Sequence, residues 1–510
     1  MPRPSSRPTR WLFGDQLGPH FLDDADGTQG AGDTDGPVLL VESRRVFARK
    51  AFHRQKAHLV LSAMRHRAAE LGSRVTYART GTYREALADV AGPLQVVHPT
   101  SRAAVGLVLG VAEEREVERL PSRGYVTSRE DFTTWAHGRG KRRLLMEDFY
   151  RDARRRTGVL MDGEEPAGGR WNLDADNREP PPRGRTTLGV PEPWWPKEDD
   201  IDAEVRADLD RWERDGDVTF IGRDGPRRFA ATRDEALAAL DRFVEDRLGA
   251  FGPHEDAVLA GDPWMAHSLL SAPLNLGLLD PLEVVERAED AYRRGDAPLQ
   301  SVEGFVRQVM GWRDYVWHIY WHEPPEYRDD NQMGARRHLP SWFAELDADA
   351  TEAACLRHTL AEVRDHGWVH HIPRLMILGG YAAQRGWRPD ELTDWFHRAF
   401  VDGYDWVMVP NVVGMSQHAD GGIMATKPYV SGGAYLDRMT DHCGGCRFDP
   451  KTRVGDTACP FTAGYWWYLD RNRERLAGNQ RMTRALGGLD RLRDLEALRA
   501  QEDRRGSDPP

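Results

Sequence analysis

The sequence predicts two unlike halves: an N-terminal α/β domain built on a Rossmann-like parallel sheet, and a larger all-α C-terminal domain. Two observations carry the prediction. Up to residue 137, short apolar runs alternate with helical patterns, the signature of strands joined by crossover helices. From residue 232 to residue 498 the apolar periodicity is helical almost throughout. Residues 138–231 read as an irregular connector, broken by Gly168-Gly169, Pro180-Pro181-Pro182 and the proline-rich run from Pro191 to Pro196. Residues 499–510 read as a disordered tail.

Trp11-Leu12-Phe13 gives the first strand and Gly14-Asp15-Gln16-Leu17 the turn after it. Val38-Leu39-Leu40-Val41 has the continuous apolar character of a buried strand, ending at Glu42. His53 to Leu71 reads as a helix stopped by Gly72, and Arg74 to Ala78 and Gln95 to His98 as further strands. Ligands of such sheets bind beyond the carboxyl ends of the strands, which marks Asp15, Gln16 and Glu42. In the second half, Ala236 to Leu248 and Glu303 to Tyr320 are amphipathic helices.

The chain of 510 residues is 40% hydrophobic and 30% charged, as expected of a soluble protein of several domains. It has no apolar run of about 18 residues, so no membrane span is predicted. Met1 to Arg10 is Pro/Arg-rich and lacks the apolar stretch of a secretory signal, so a cytoplasmic location is expected. A net charge of −11 argues against nucleic acid as a global sum. Basic groups nevertheless cluster from Arg139 to Arg143 and from Arg151 to Arg156, while acidic ones gather between Glu198 and Asp217. Taken alone, such runs read as solvated faces. The 17 tryptophans, many in the second half, suit either a helical core or a cofactor pocket.

Four cysteines, Cys355, Cys443, Cys446 and Cys459, are spaced C-x87-C-x2-C-x12-C, and the last begins Cys459-Pro460-Phe461. Three in one loop and one from far upstream can close a four-thiolate cage. A [4Fe–4S] cluster suits the Cys-Pro ending. Zinc suits four thiolates in general. Two disulfides, or four unrelated buried thiols, are the plain alternatives.

Further stretches then combine: Ser268-Leu269-Leu270-Ser271, Gln308 to Tyr315 with Gly311-Trp312-Arg313, His370-His371-Ile372-Pro373-Arg374, Asp402-Gly403-Tyr404-Asp405-Trp406, and Gly421 to Tyr429 just before the cysteine pair. With Trp11 to Leu17 and the connector motif Gly168-Gly169-Arg170-Trp171-Asn172, they resemble the photolyase/cryptochrome superfamily over nearly the whole chain. The likeness is greatest to its iron–sulfur branch, the bacterial (6-4) photolyases and related cryptochromes.

The resemblance implies an antenna domain, here expected to hold 6,7-dimethyl-8-ribityllumazine near Asp15, Gln16 and Glu42, and a helical domain that buries FAD. It assigns Ser268 and Ser271 to the phosphate side. Gln308, Trp312 and Arg313 fall on a flavin wall, and Arg374, Asp402 and Asp405 on groups facing the ring system. A buried arginine demands a carboxylate, so Arg374 with Asp402 or Asp405 also fits a purely structural ion pair. His371, with His370 beside it, matches the histidine that supplies a proton during (6-4) repair, and Tyr429 and Tyr435 match tyrosines of the lesion pocket. Trp395 matches the inner tryptophan of an electron relay, with Trp342 a substitute further out. The cysteines match the [4Fe–4S] ligands. Ala344, Phe396 and Met408 depart from the family pattern, putting the relay and the flavin's redox behaviour in question. The implied partner is UV-damaged DNA, bound by a monomer. Phosphate contacts are expected from Arg142, Arg143, Arg151, Arg154 to Arg156 and Lys427. The alternatives are a blue-light receptor with the same cofactors and no repair, and a metal-stapled nucleic-acid-binding protein without flavin.

Overall fold

The computed structural model of the chain describes residues 7–23 and 36–510. The expectation for Met1 to Arg10 lies largely outside the described residues.

Five parallel strands form one sheet in the order β3-β2-β1-β4-β5: β1 is Thr9–Leu12, β2 Val38–Ser43, β3 Val75–Thr80, β4 Leu94–Val97 and β5 Val117–Leu120. Arg10 pairs with Val38 and Leu12 with Leu40. Val38, Leu39, Leu40 and Val41 are all buried because both sheet faces are covered. Leu39 and Val41 pack with Trp11, Val108 and Val111, while Val38 and Leu40 pack with Ala57, Leu61 and Met64 of the helix Arg54–Leu71. Gly72, at φ 56°, ends that helix. The chain order reverses between β1 and β4, so the ends of β1, β2 and β4 open on one crevice.

The connector is more regular than its composition predicts. Helix Met146–Thr157 buries Met146, Phe149, Tyr150 and Ala153, and helix Asp200–Arg214 buries Val205, Leu209 and Trp212. In both, charges on the other face mask the apolar stripe. The acidic run is not wholly a solvated face. Asp199 caps the second helix in a reciprocal box with Asp202, and Asp202 and Asp208 are buried against Arg227 and Arg65.

The second half is helical, with three π-helical interruptions: Arg307–Arg313, Pro373–Gly379 and Pro410–Ser416. The first splits the helix expected over Glu303 to Tyr320 into Leu299–Val306 and Asp314–His322.

The expected disordered tail is a correction. Helix Leu495–Arg505 docks through Leu498 and through Glu502, whose carboxylate pairs with Arg385 in full burial and accepts from Arg505 at 2.6 Å. The polar composition of the segment conceals these two anchors. Among the described residues, no helix is long and apolar enough to cross a membrane.

Candidate active site and metal centre

Two of the three π-helical segments carry expected site residues: Gln308, Trp312 and Arg313 on the first and Arg374 on the second. A π-helical turn holds one extra residue and re-aims side chains, which is why it recurs at functional sites. Segments 373–379 and 410–416 pack on each other, and helix Asp314–His322 packs on Asp405–Val409.

Arg374, on the second segment, forms a two-pronged pair with Asp402: Nη1 donates to Oδ1 at 2.8 Å and Nη2 to Oδ2 at 3.0 Å. Ser271 Oγ donates to the same carboxylate at 2.6 Å, and Asn275 Nδ2 to the Asp402 carbonyl at 3.0 Å. The Arg374 guanidinium also lies 4.2 Å over the Phe400 ring. Thus Ser271, Arg374 and Asp402 form one cluster. Asp405 does not join it: its carboxylate pairs with Arg328 and accepts from Tyr320 Oη at 2.8 Å. Sequence reasoning missed Lys56, a buried residue on the N-terminal domain's helix. Its ammonium donates to the His397 carbonyl at 2.6 Å and to the Gly403 carbonyl, next to Asp402. Burial pushes its pKa down to about 7, opposed by the Asp402 charge.

Ser268 Oγ accepts from Leu270 N at 3.3 Å, in a loop where Met265 and Leu269 take positive φ of 43° and 58°. Such backbone costs about 1–3 kcal/mol per residue and persists where a site requires it. Beside this loop the His267 and His370 rings stack at 4.2 Å. His267 Nε2, both nitrogens of His370 and Trp368 Nε1 are buried without a hydrogen-bond partner. Burial, then neighbouring positive charge, pushes both imidazoles well down, His267 to about 3, so they are neutral. A row of unpaired buried donors and acceptors calls for a polar ligand.

His371 is exposed to solvent, yet the protein crowds it enough for burial and Arg374 to push its pKa down to about 4. Gln308 and Trp312 are half-buried on the first π segment. Arg313 turns toward the N-terminal domain, donating to the Gly124 carbonyl at 2.8 Å with its guanidinium 5.2 Å from the Trp406 ring. Tyr429 and Tyr435 are half-buried; burial first, and then Asp174 near Tyr429 and Asp256 near Tyr435, raise their phenols.

Trp395 is fully buried and donates to the Ala344 carbonyl at 3.2 Å. Its ring lies 4.6 Å from Phe343, which lies 4.9 Å from Trp387; Trp342 stands 6.0 Å from Trp387. Trp387 was not a sequence candidate, because no motif surrounds it. Phe396 stacks on Phe400 at 5.3 Å, and Met408 is buried.

At the sheet's crevice the three candidates differ. Gln16 is fully engaged: Oε1 accepts from Phe13 N at 3.2 Å, and Nε2 donates to the Val97 carbonyl at 3.2 Å. Glu42 accepts from Arg65 at 2.8 and 3.0 Å and from Tyr77 Oη at 2.6 Å, so it forms a buried ion pair. Asp15 accepts from the Thr100 hydroxyl, and burial raises its pKa to about 6.

The basic candidates also divide. Arg154 is fully buried, donating to the carbonyls of Leu160 at 2.5 Å and Val159 at 3.3 Å. Arg156 pairs with Asp152 at 2.8 Å. Arg154 is therefore an internal fastening, whereas Arg156 stays on the surface with its charge partly engaged by Asp152. Arg151 and Arg155 instead flank the Trp171 ring at 6.0 and 4.6 Å. Arg142 and Lys427 are exposed, and Arg143 reaches the Gly422 carbonyl, so the connector and the loop before Tyr429 share one surface.

Cys355 lies on helix Ala354–His366, Cys443 and Cys446 in and just after the turn His442–Gly445, and Cys459 caps helix Pro460–Arg471. All four are free thiols. Burial raises the Cys355 thiol, and Cys459, Cys443 and Cys446 add to the rise, so the four converge. A thiol cluster of this kind fits a metal centre, since a cation would stabilise the thiolates. Among the described residues, the group of metal-binding side chains whose ligand atoms lie within 4.8 Å of one another is His66, Asp199 and Asp202. The cysteine sulfurs are spread more widely.

The family model for deoxyribodipyrimidine photo-lyase-related proteins matches residues 10–217. A protein of Agrobacterium fabrum named (6-4) photolyase is 40% identical over 489 residues, covering 92% of this chain and 93% of the relative. This chain belongs to the photolyase/cryptochrome family. The crystal structure of a bacterial class III photolyase from Agrobacterium tumefaciens superposes with a TM-score of 0.57 over 98% of each chain, at 15% identity. A Synechocystis cryptochrome gives 0.52 over 80% of this chain and 82% of its own, at 13% identity. These two likenesses establish the photolyase/cryptochrome fold. Photolyases and cryptochromes use a flavin chromophore. The unpaired buried nitrogens of His267 and His370 beside Ser268, with the Arg374–Asp402 pair, fit one.

Proposed function

We propose that the chain repairs (6-4) pyrimidine photoproducts in DNA by light-driven electron transfer, with FAD bound between the π-helical segments. The observation that carries this reading is the 40% identity to a (6-4) photolyase over 92% of the chain. The flavin supplies the photo-excited electron that opens the lesion. Ser268, Ser271 and the unpaired imidazoles hold its polar groups, and Arg374 and Asp402 face its ring system. Gln308 and Trp312 wall the flavin, and Tyr429 and Tyr435 receive the flipped bases, at an unstacking cost of about a few kcal/mol. Arg142, Arg143 and Lys427 contact phosphates and offset that cost. The protein acts as a cytoplasmic monomer.

The four cysteines hold a [4Fe–4S] cluster. The Cys459-Pro460 ending of the ligand run favours the cluster over zinc. The antenna is 6,7-dimethyl-8-ribityllumazine beside Asp15. Gln16 and Glu42 shape its crevice through backbone and ion-pair contacts.

His371 delivers the proton. Its lowered pKa leaves the ring neutral at pH 7 in the DNA-free protein, and bound phosphates raise its affinity for a proton. His371→Ala is expected to cut (6-4) repair at least about 100-fold while flavin stays bound. In the wild type, repair yield should fall as pH rises through the pKa of His371 in the DNA complex, which lies above that of the free protein, because only the protonated ring donates. Illuminating the reduced proteins with (6-4)-containing DNA, and separately with cyclobutane-dimer DNA, and quantifying restored bases checks both points. Repair by the alanine variant at the wild-type level would remove His371 from the mechanism.

A further inference from the structure

The segment after helix Leu495–Arg505 makes a contact that nothing above requires. Trp342 Nε1 donates to the Ser507 carbonyl at 2.9 Å, and Trp387 Nε1 donates to Ser507 Oγ at 3.0 Å. One residue accepts from both outer indoles. It is held firmly: the Pro510 carbonyl accepts from Glu352 N at 2.7 Å and Thr351 Oγ1 at 2.8 Å, and the helix before it is anchored by the buried Arg385–Glu502 pair. Trp387 is fully buried and Trp342 is 8% exposed, so little water reaches either ring.

Removing an electron from an indole makes its N–H strongly acidic. What faces that N–H then decides whether the charge stays or leaves as a proton. A backbone carbonyl and an alcohol accept hydrogen bonds well but are very weak bases. They stabilise the positive charge through the bond and do not take the proton.

We propose that Ser507 is a positioning residue for the electron relay. Accepting from Trp342 and Trp387 together, it keeps the outer pair dry and holds the oxidised pair in its protonated form. The inference rests on the flavin reading above. In the balanced step, one electron leaves the pair for oxidised Trp395, and each indole keeps its proton. A thiol reductant in solution then returns one electron and is itself oxidised. Without Ser507, water takes the indole proton, and recovery needs a proton as well as an electron.

Three proteins test this: the full chain, Ser507→Ala and a chain ending at Gly506. In the flavin-free proteins, indole N–H exchange is followed by nitrogen-15 NMR, with Trp342→Phe and Trp387→Phe assigning the signals. Ser507→Ala should speed exchange at Trp387 about tenfold, one hydrogen bond's worth, and leave Trp342 unchanged, since that indole uses the backbone oxygen. The shortened chain should speed both. In the flavin-loaded proteins, transient absorption after a light pulse should show a protonated tryptophan radical in the full chain. In the shortened chain it should give way to the neutral radical about tenfold sooner. Thermal melting confirms that each variant is folded, and Ser507→Ala alone decides the hydroxyl contact if the shortened chain is not. Unchanged exchange in Ser507→Ala, or one radical lifetime across all three proteins, overturns the proposal. A full chain that binds no flavin overturns the earlier reading and the redox half of this one, while the exchange arm still judges the contact itself.

Discussion

Arg374→Met is expected to cost about 3–5 kcal/mol of folding stability, because it strands a buried carboxylate. The Asp402 side chain is only 5% exposed and now receives two guanidinium bonds and one from Ser271. After the substitution, the Ser271 hydroxyl still donates to the carboxylate, and the Lys56 ammonium stays bound to the neighbouring Gly403 carbonyl. Neither replaces a two-pronged guanidinium contact. Denaturant unfolding of the mutant should show the loss, and Arg374→Met with Asp402→Asn should recover most of it, since the stranded charge is gone. A single mutant as stable as the wild type would mean that the pair does not carry a buried charge. Flavin content of the purified mutant should fall in parallel.

Cys459→Ala is expected to abolish iron binding and to lower stability by about 5 kcal/mol or more, because metal ligation is folding free energy. The residue caps helix Pro460–Arg471, and its sulfur sits within 2.9 Å of where a side chain on Gly433 would begin. Through its partners it ties that helix to Ala354–His366 and to the turn at His442–Gly445. Loss of one ligand releases all three. Iron analysis and a melting curve check the expectation. A mutant with full iron content and an unchanged melt would refute the four-cysteine assignment.

The sheet's centre was legible because β2 is covered on both faces, so Val38 to Val41 form an unbroken apolar run. The edge strand β5 was not: Glu118 and Arg119 are exposed, and four residues leave too little pattern. Helices Met146–Thr157 and Asp200–Arg214 escaped notice because charges outnumber apolar residues in each, although the buried positions keep helical spacing. Within the site, motifs placed Ser271, Arg374 and Asp402, which meet in space. What sequence could not supply was the partner of each polar group. Glu42 is committed to Arg65 and Tyr77, Asp405 to Arg328, and Arg154 to backbone carbonyls, all pairings set by tertiary packing. Trp387 and Ser507 lie outside every recognisable motif and find each other only in the folded chain.

The π-helical segments also limit which length changes this scaffold tolerates. Each residue of an α-helix turns the chain by about 100°, so trimming one position from Pro373–Gly379 into ordinary α geometry would swing everything beyond it around the helix axis. Arg374 precedes most of that segment, whereas Tyr381 and Gln384 follow it. A single-codon deletion there would leave the guanidinium in place and rotate the wall behind it. Libraries that vary length should therefore spare these three stretches, while substitutions within them keep the frame.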